Sequence, residues 1–232
     1  MKQLELDNIE KNRSRVIVVV MILTMLGGFA GDSKAAGAVI EGIVFLSSAG
    51  GATTSVSAAR YQATTKPGDP EELSAVVYLE GPGLSGLKAD PSASAKVLQK
   101  AMQFRPAVLP VQVGTKVEFP NLDDLYHNVF SYSKAKRFDL GRYLKDEKQP
   151  TVVFEKPGAI KLFCEIHRHM RGTILVLDTP HFTRTKPDGS FRLEGMPEGK
   201  FKLTAWISSR MIRVQEIELK AGETVRVNFP GK

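Results

Sequence analysis

Leu162-Phe-Cys-Glu-Ile-His-Arg-His-Met170 is the stretch on which the reading of the whole chain turns. Its spacing is C-x2-H-x2-M, and it holds the only cysteine among 232 residues. Apolar runs at 159–163 and 173–177 lead into it and out of it. Such runs, bounded by turn residues, read as buried strands, so Cys164, His167 and Met170 are expected on a tight loop between two strands. His127, in Asp124-Leu-Tyr-His-Asn-Val-Phe-Ser131, completes the set with a second imidazole. Two imidazoles, a thiolate and a thioether are the donors of a blue-copper electron-transfer site, His2Cys in a trigonal plane with a weak axial Met. A soft thiolate suits Cu(I), and imidazole serves both oxidation states. A long Met contact does not impose the tetragonal geometry that Cu(II) prefers.

Working outward, the chain reads as many short strands separated by Gly/Pro turns, the pattern of an all-β sandwich. Strands are expected at 39–46, 75–79, 97–104, 107–113, 117–119, 128–131, 151–154, 159–164 and 173–177. Residues 138–143 read as irregular or as an edge strand, and 47–72, rich in Ser, Ala, Thr and Gly, as a surface loop. After Asp178-Thr-Pro180 an antiparallel meander follows, with strands 190–193, 201–205, 210–219 and 225–229. Ile212 and Val214 fall out of phase with Ile217 and Leu219, which predicts a bulge between them. About 50 residues alone bury too little surface to be stable. No long helix and no repeat is evident.

The N-terminus carries Lys11, Arg13 and Arg15 ahead of an apolar stretch at 16–30. That stretch is shorter than the ~20 residues of a membrane span. Small residues follow it, so 1–38 reads as a secretory signal, with an uncleaved membrane anchor as the alternative. The first 38 residues hold five Lys/Arg and four Asp/Glu, so the excess of cations, seven in the full chain, is six beyond them. A local cluster at Lys134, Lys136, Arg137 and Arg142 reads as a solvated surface or as a steering patch for an acidic redox partner. No nucleic-acid-binding motif is present. Exported proteins usually pair their cysteines, and Cys164 has no partner in the chain. Sequestration by a metal accounts for it.

Residues 100–178 resemble a cupredoxin, and within that family the amicyanins. The resemblance rests on Met102-Gln-Phe-Arg-Pro106, Val111-Gln-Val-Gly-Thr-Lys-Val117, Asn121, His127-Asn-Val129, Phe154-Glu-Lys-Pro-Gly158 and Cys164-x2-His167-x2-Met170-Arg-Gly172. It implies one type 1 copper held by His127, Cys164, His167 and Met170, and an exported electron carrier, periplasmic or secreted. Its redox donor and acceptor would be proteins, for example a c-type cytochrome or a quinoprotein. A membrane enters only if the N-terminal segment is retained. The resemblance also implies that Asn128 ties the two ligand loops together. Where the family has Pro before the loop His this chain has Ile166, whose N–H is available to the Cys164 sulfur. Where the family has an apolar rim, this chain has Arg168 and His169. The loop acids Asp123 and Asp124 read as a solvated turn, and Trp206 as core or inter-domain packing.

The C-terminal meander, through Asp188-Gly-Ser-Phe191 and Pro197-Glu-Gly-Lys-Phe-Lys-Leu203, resembles half of a carboxypeptidase-regulatory-like or transthyretin-like sandwich. The expected division is therefore 39–94, N-terminal strands and a loop; 95–178, the cupredoxin; and 179–232, the sandwich segment. Residues 39–82 and 179–232 would form one discontinuous sandwich. The arrangement as a whole resembles bacterial exported methylamine-utilisation or plastocyanin-like proteins. Enzyme readings fare poorly: four histidines, two already used, leave too few for a second copper centre. The competing functions are copper handling, storage or sensing without electron transfer and, behind both, a structural sandwich.

Overall fold

The computed structural model describes residues 37–46, 68–69, 71–87 and 89–231. Of the signal reading at 1–38, residues 1–36 lie outside the described residues, as does most of the 47–72 loop; Ala38 already opens a strand. The strands are β1 (Ala38–Ile43), β2 (Val76–Glu80), β3 (Ser94–Lys96), β4 (Leu98–Gln99), β5 (Phe104–Arg105), β6 (Val108–Gln112), β7 (Lys116–Glu118), β8 (His127–Ser133) and β9 (Lys136–Tyr143). They continue as β10 (Thr151–Val153), β11 (Gly158–Phe163), β12 (Arg171–Leu177), β13 (Phe182–Arg184), β14 (Ser190–Met196), β15 (Gly199–Ser208), β16 (Met211–Leu219) and β17 (Thr224–Arg226). The protein is all-β: the described residues contain no helix, and hence none long and apolar enough to cross a membrane.

A five-stranded sheet, β6-β12-β11-β8-β9, faces the shorter β10-β7-β3 and β4-β5 sheets. The core between them contains Phe104, Val117, Phe119, Val129, Phe154, Ile160, Leu162 and Ile174, together with Cys164 and Met170. β12 is buried almost throughout, which explains its unbroken apolar run. Successive side chains of a strand point to opposite faces. Ile174 and Val176 enter this core, while Leu175 and Leu177 pack with Val76 and Trp206 on the other side. Trp206 is thus a packing residue between layers, with Lys161 Nζ 5.7 Å from its ring centroid.

The remaining strands make two further sheets, β14-β1-β17 and β13-β2-β15-β16. β1 pairs antiparallel with β14 and parallel with β17, and β2 pairs antiparallel with β13 and β15. The two N-terminal strands therefore join C-terminal ones. Their shared core includes Ile40, Val44, Val77, Leu79, Leu203, Leu219 and Phe229. Gly42 is required by the close approach of backbones here: a Cβ would lie 1.8 Å from the Val227 carbonyl oxygen.

Two expectations are corrected. Residues 97–104 do not form one strand. β4 and β5 pair across a turn in which Ala101 and Met102 have φ of 53° and 56°. The predicted bulge within 210–219 is also absent. β16 pairs with β15 without interruption from Leu219 to Ile212, and the irregularity lies at Trp206/Ser208. Ile212 and Val214 simply occupy the opposite face from Ile217 and Leu219, and both are exposed.

Candidate metal centre

The β11–β12 hairpin brings Phe163 opposite Arg171 and leaves 164–170 as its connecting loop. Met170 N–H donates to the His167 carbonyl at 2.8 Å, which tightens the loop end. Cys164 and Met170 are buried and His167 is half-buried. His127 opens β8 and is fully buried. Its Nδ1 lies 2.9 Å from His167 Nδ1, and the ring centroids are 4.7 Å apart. Cys164 Sγ is 3.9 Å from the same His167 nitrogen. One ligand atom each from His127, Cys164 and His167 falls within 4.8 Å of the others, and this is the one such cluster found among the described residues.

These separations suit a metal. Donors bound at ~2.0–2.3 Å to one first-row ion stand ~3–4 Å apart. Two ring nitrogens aimed at each other at 2.9 Å share at most one proton. Without it they direct two lone pairs and a sulfur at one place, an arrangement that a cation stabilises.

The electrostatics agree. Burial resists ionisation of Cys164, but hydrogen bonding from His127 and from the backbone of Asn128, His167 and Ile166 outweighs it, and the thiol lies below its ordinary range. Burial also opposes a charge on His127, yet Cys164 and then Asp123 hold its pKa up. His167 is pushed down by burial and by the neighbouring His127 and His169, which favours the neutral ring a ligand needs.

Asn128 is buried beside His127, and its Oδ1 accepts the Glu165 N–H at 2.8 Å, so it spans the two ligand-bearing segments. Ile166, Arg168 and His169 are exposed at the loop surface. His169 Nε2 lies 3.2 Å from the Met102 carbonyl oxygen. Of the basic cluster, Lys136 pairs with Glu155 at 3.5 Å and Arg142 with Glu165 at 2.6 Å.

Asp123 is the residue that sequence reasoning missed. It is not a solvated turn acid. Its carboxylate lies 2.9 Å from His127 Nε2 and accepts the N–H groups of Ala101 and Met102 at 2.7 and 2.8 Å. Asn121 shapes its loop. The Asn121 amide donates to the Leu125 and Tyr143 carbonyls, and its oxygen accepts the Asp123 N–H. The spacing Asp-x3-His was visible in the sequence, but in a loop that spacing does not by itself imply contact. Asp124 pairs with Lys145 at the surface.

Comparison with known proteins leads to the same domain. Residues 76–176 match the family model described as a cupredoxin-like domain. The chain is 28% identical over 106 residues to amicyanin-alpha of Methylorubrum extorquens, covering 45% of this chain and 89% of that one. A purple cupredoxin from Nitrosopumilus maritimus is 26% identical over 36% of this chain and 99% of its own, with a TM-score of 0.32. A copper-containing nitrite reductase from Thermus scotoductus is 30% identical over 42% of this chain and 25% of its own, with a TM-score of 0.35. The matched segment opens at β2, which pairs with C-terminal strands, and runs through the whole ligand cluster. The chain thus contains a cupredoxin-like domain at residues 76–176.

Proposed function

We propose that this protein is an exported type 1 copper protein that carries single electrons between redox proteins. The observation that supports it most is the convergence of His127, His167 and Cys164 at one largely buried point, with Met170 buried at the loop end. A copper ion held there would supply one-electron exchange between Cu(II) and Cu(I).

The chain's own residues do the rest. His127, Cys164 and His167 would be the strong donors to the copper, and the Met170 thioether a weak one. The β11–β12 hairpin and the Asn128–Glu165 bond hold two ligand segments at fixed separation, so little rearranges when charge changes. Burial of Met170 and Cys164 excludes water. His167, half-buried where His127 is fully so, is the edge through which electrons meet a partner. Ile166, Arg168 and His169, exposed in the same loop, give it a rim of mixed polarity. The cluster Lys134, Lys136, Arg137 and Arg142 lies on the β8–β9 hairpin and favours an acidic partner. His169 and His181 join no second metal cluster among the described residues. β1, β2 and the C-terminal strands act as one sandwich that buttresses the cupredoxin through Val76 and Trp206.

Voltammetry of the copper-loaded protein, with copper content assayed before and after, tests the function. Reversible one-electron cycling at constant copper supports the carrier. Ready surrender of the metal to a competing chelator, without reversible cycling, would replace it with copper handling.

A further inference from the structure

We propose that the cleft beside Tyr78, between the β13-β2-β15-β16 sheet and the five-stranded sheet, binds a small aliphatic diamine through the Glu80 and Asp178 carboxylates. The site lies outside the candidate metal centre, and the inference does not depend on copper.

Strand alternation makes the cleft. On β2, Val77 and Leu79 enter the core that they share with the C-terminal strands, so Val76, Tyr78 and Glu80 face the five-stranded sheet. On β12, Leu175 and Leu177 face back toward them. Where Trp206 stands opposite Val76, its indole fills the junction between the layers. Two residues earlier on β15, Thr204 stands opposite Tyr78 and is too short to do the same. There a cleft of about 330 Å³ remains, between β2, the end of β12 and the Pro157-Gly158 turn. Small-molecule sites begin at about this size, ~300 Å³.

The lining says what fits. Its floor is apolar, from the buried Leu84, Leu175 and Leu177, and no Lys or Arg lines it. Glu80 and Asp178 both line it, and neither forms an ion pair among the described residues. Lys202 stands opposite Glu80 on β15 yet does not pair with it. Glu80 Oε2 instead accepts the Thr204 hydroxyl at 2.7 Å, a bond that fixes the carboxylate on this face. Burial, and then the Glu80 charge, push the Tyr78 hydroxyl up to about 12, so the wall carries a neutral phenol. In a chain with 32 Lys and Arg, two acids without a cation beside an apolar floor complement a ligand that brings its own positive charge. An anion would meet two like charges, and a neutral apolar molecule would strip water from the carboxylates with nothing in return. Ammonium groups satisfy the acids and gain from the neighbouring aromatic ring. A short methylene chain between two of them covers the leucines.

The test is titration of the protein, without added metal, with 1,4-diaminobutane at neutral pH, followed by 1H–15N amide shifts. The equally long but uncharged 1,4-butanediol is the control. E80Q and D178N each remove one charge and keep the shape and an acceptor oxygen. Wild type is expected to show saturable shifts at cleft amides such as Gly81, Ser85 and Thr179, and no response to the diol. Each variant should bind the diamine about 2–5-fold more weakly, as loss of one partly exposed ion pair implies. Shifts that do not saturate, shifts spread over carboxylates outside the cleft, equal binding of the diol, or an affinity that either variant leaves unchanged would each overturn the proposal.

Discussion

Replacing Asn128 by alanine cuts the link between the two ligand segments. Asn128 is 1% exposed and makes two side-chain bonds, 2.8 Å from the Glu165 N–H and 3.3 Å to Asp139 Oδ1. A neutral hydrogen bond contributes ~0.5–1.5 kcal/mol net, and the longer one falls at the low end. Glu165 is exposed, so its freed N–H finds water and the full cost of an orphaned donor does not arise. The sum is about 1–2 kcal/mol. With a urea slope of ~1–3 kcal/mol/M, that lowers the unfolding midpoint by about 0.5–1 M. The assay is urea unfolding of metal-free protein followed by far-UV circular dichroism, with D139A as the companion variant. D139A removes the longer bond together with an exposed 3.0 Å bond from the Gly141 N–H, and should still shift the midpoint by less than N128A does. An unchanged midpoint for N128A, or an equal shift for D139A, would refute the claim that the Glu165 bond couples the loops.

Further outcomes follow from other parts of the structure. Trp206→Ala empties the junction with Val76, Leu175 and Leu177 and should cost ~3–5 kcal/mol in denaturant unfolding, while any copper spectrum stays unchanged. A loss below about 1 kcal/mol would mean that the junction is not packed as described. Ile166→Pro removes an N–H beside the Cys164 sulfur and should lower the reduction potential; an unchanged or raised potential contradicts that role. The pH dependence of stability follows from Asp123. Burial would raise its pKa, but hydrogen bonds from Met102, His127 and Ala101 outweigh this and hold it below the ordinary 3.8. A depressed carboxyl stabilises the fold above its unfolded pKa, and that contribution is lost as pH falls through the folded value. Acid unfolding of metal-free D123N should therefore be less steep below about pH 4 than that of wild type; identical profiles would exclude the contribution.

The sequence carried the strand-loop-strand around Cys164 because both flanking runs are apolar and the loop residues are of unusual type. The burial of β12 on both faces was legible in its unbroken apolar run, although the partner for its outer face was not. Other features depend on contacts remote in sequence. Ala101 and Met102 give no local sign of left-handed backbone, since the carboxylate that gathers their N–H groups comes from Asp123. Asp123 looks like any loop acid until His127 folds against it. Ile212 and Val214 read as core out of phase, but they sit on the face of the edge strand β16 that its neighbours leave open.

The central claim is that His127, Cys164, His167 and Met170 form a type 1 copper site, and Cu(II) titration of the reduced protein tests it most directly. Visible absorption and electron paramagnetic resonance would be recorded, with Cys164→Ser as control. The account predicts one equivalent of copper, an intense blue thiolate-to-copper band and narrow copper hyperfine splitting, both lost in the variant. Stoichiometric binding with an ordinary Cu(II) spectrum, or no binding, would contradict it.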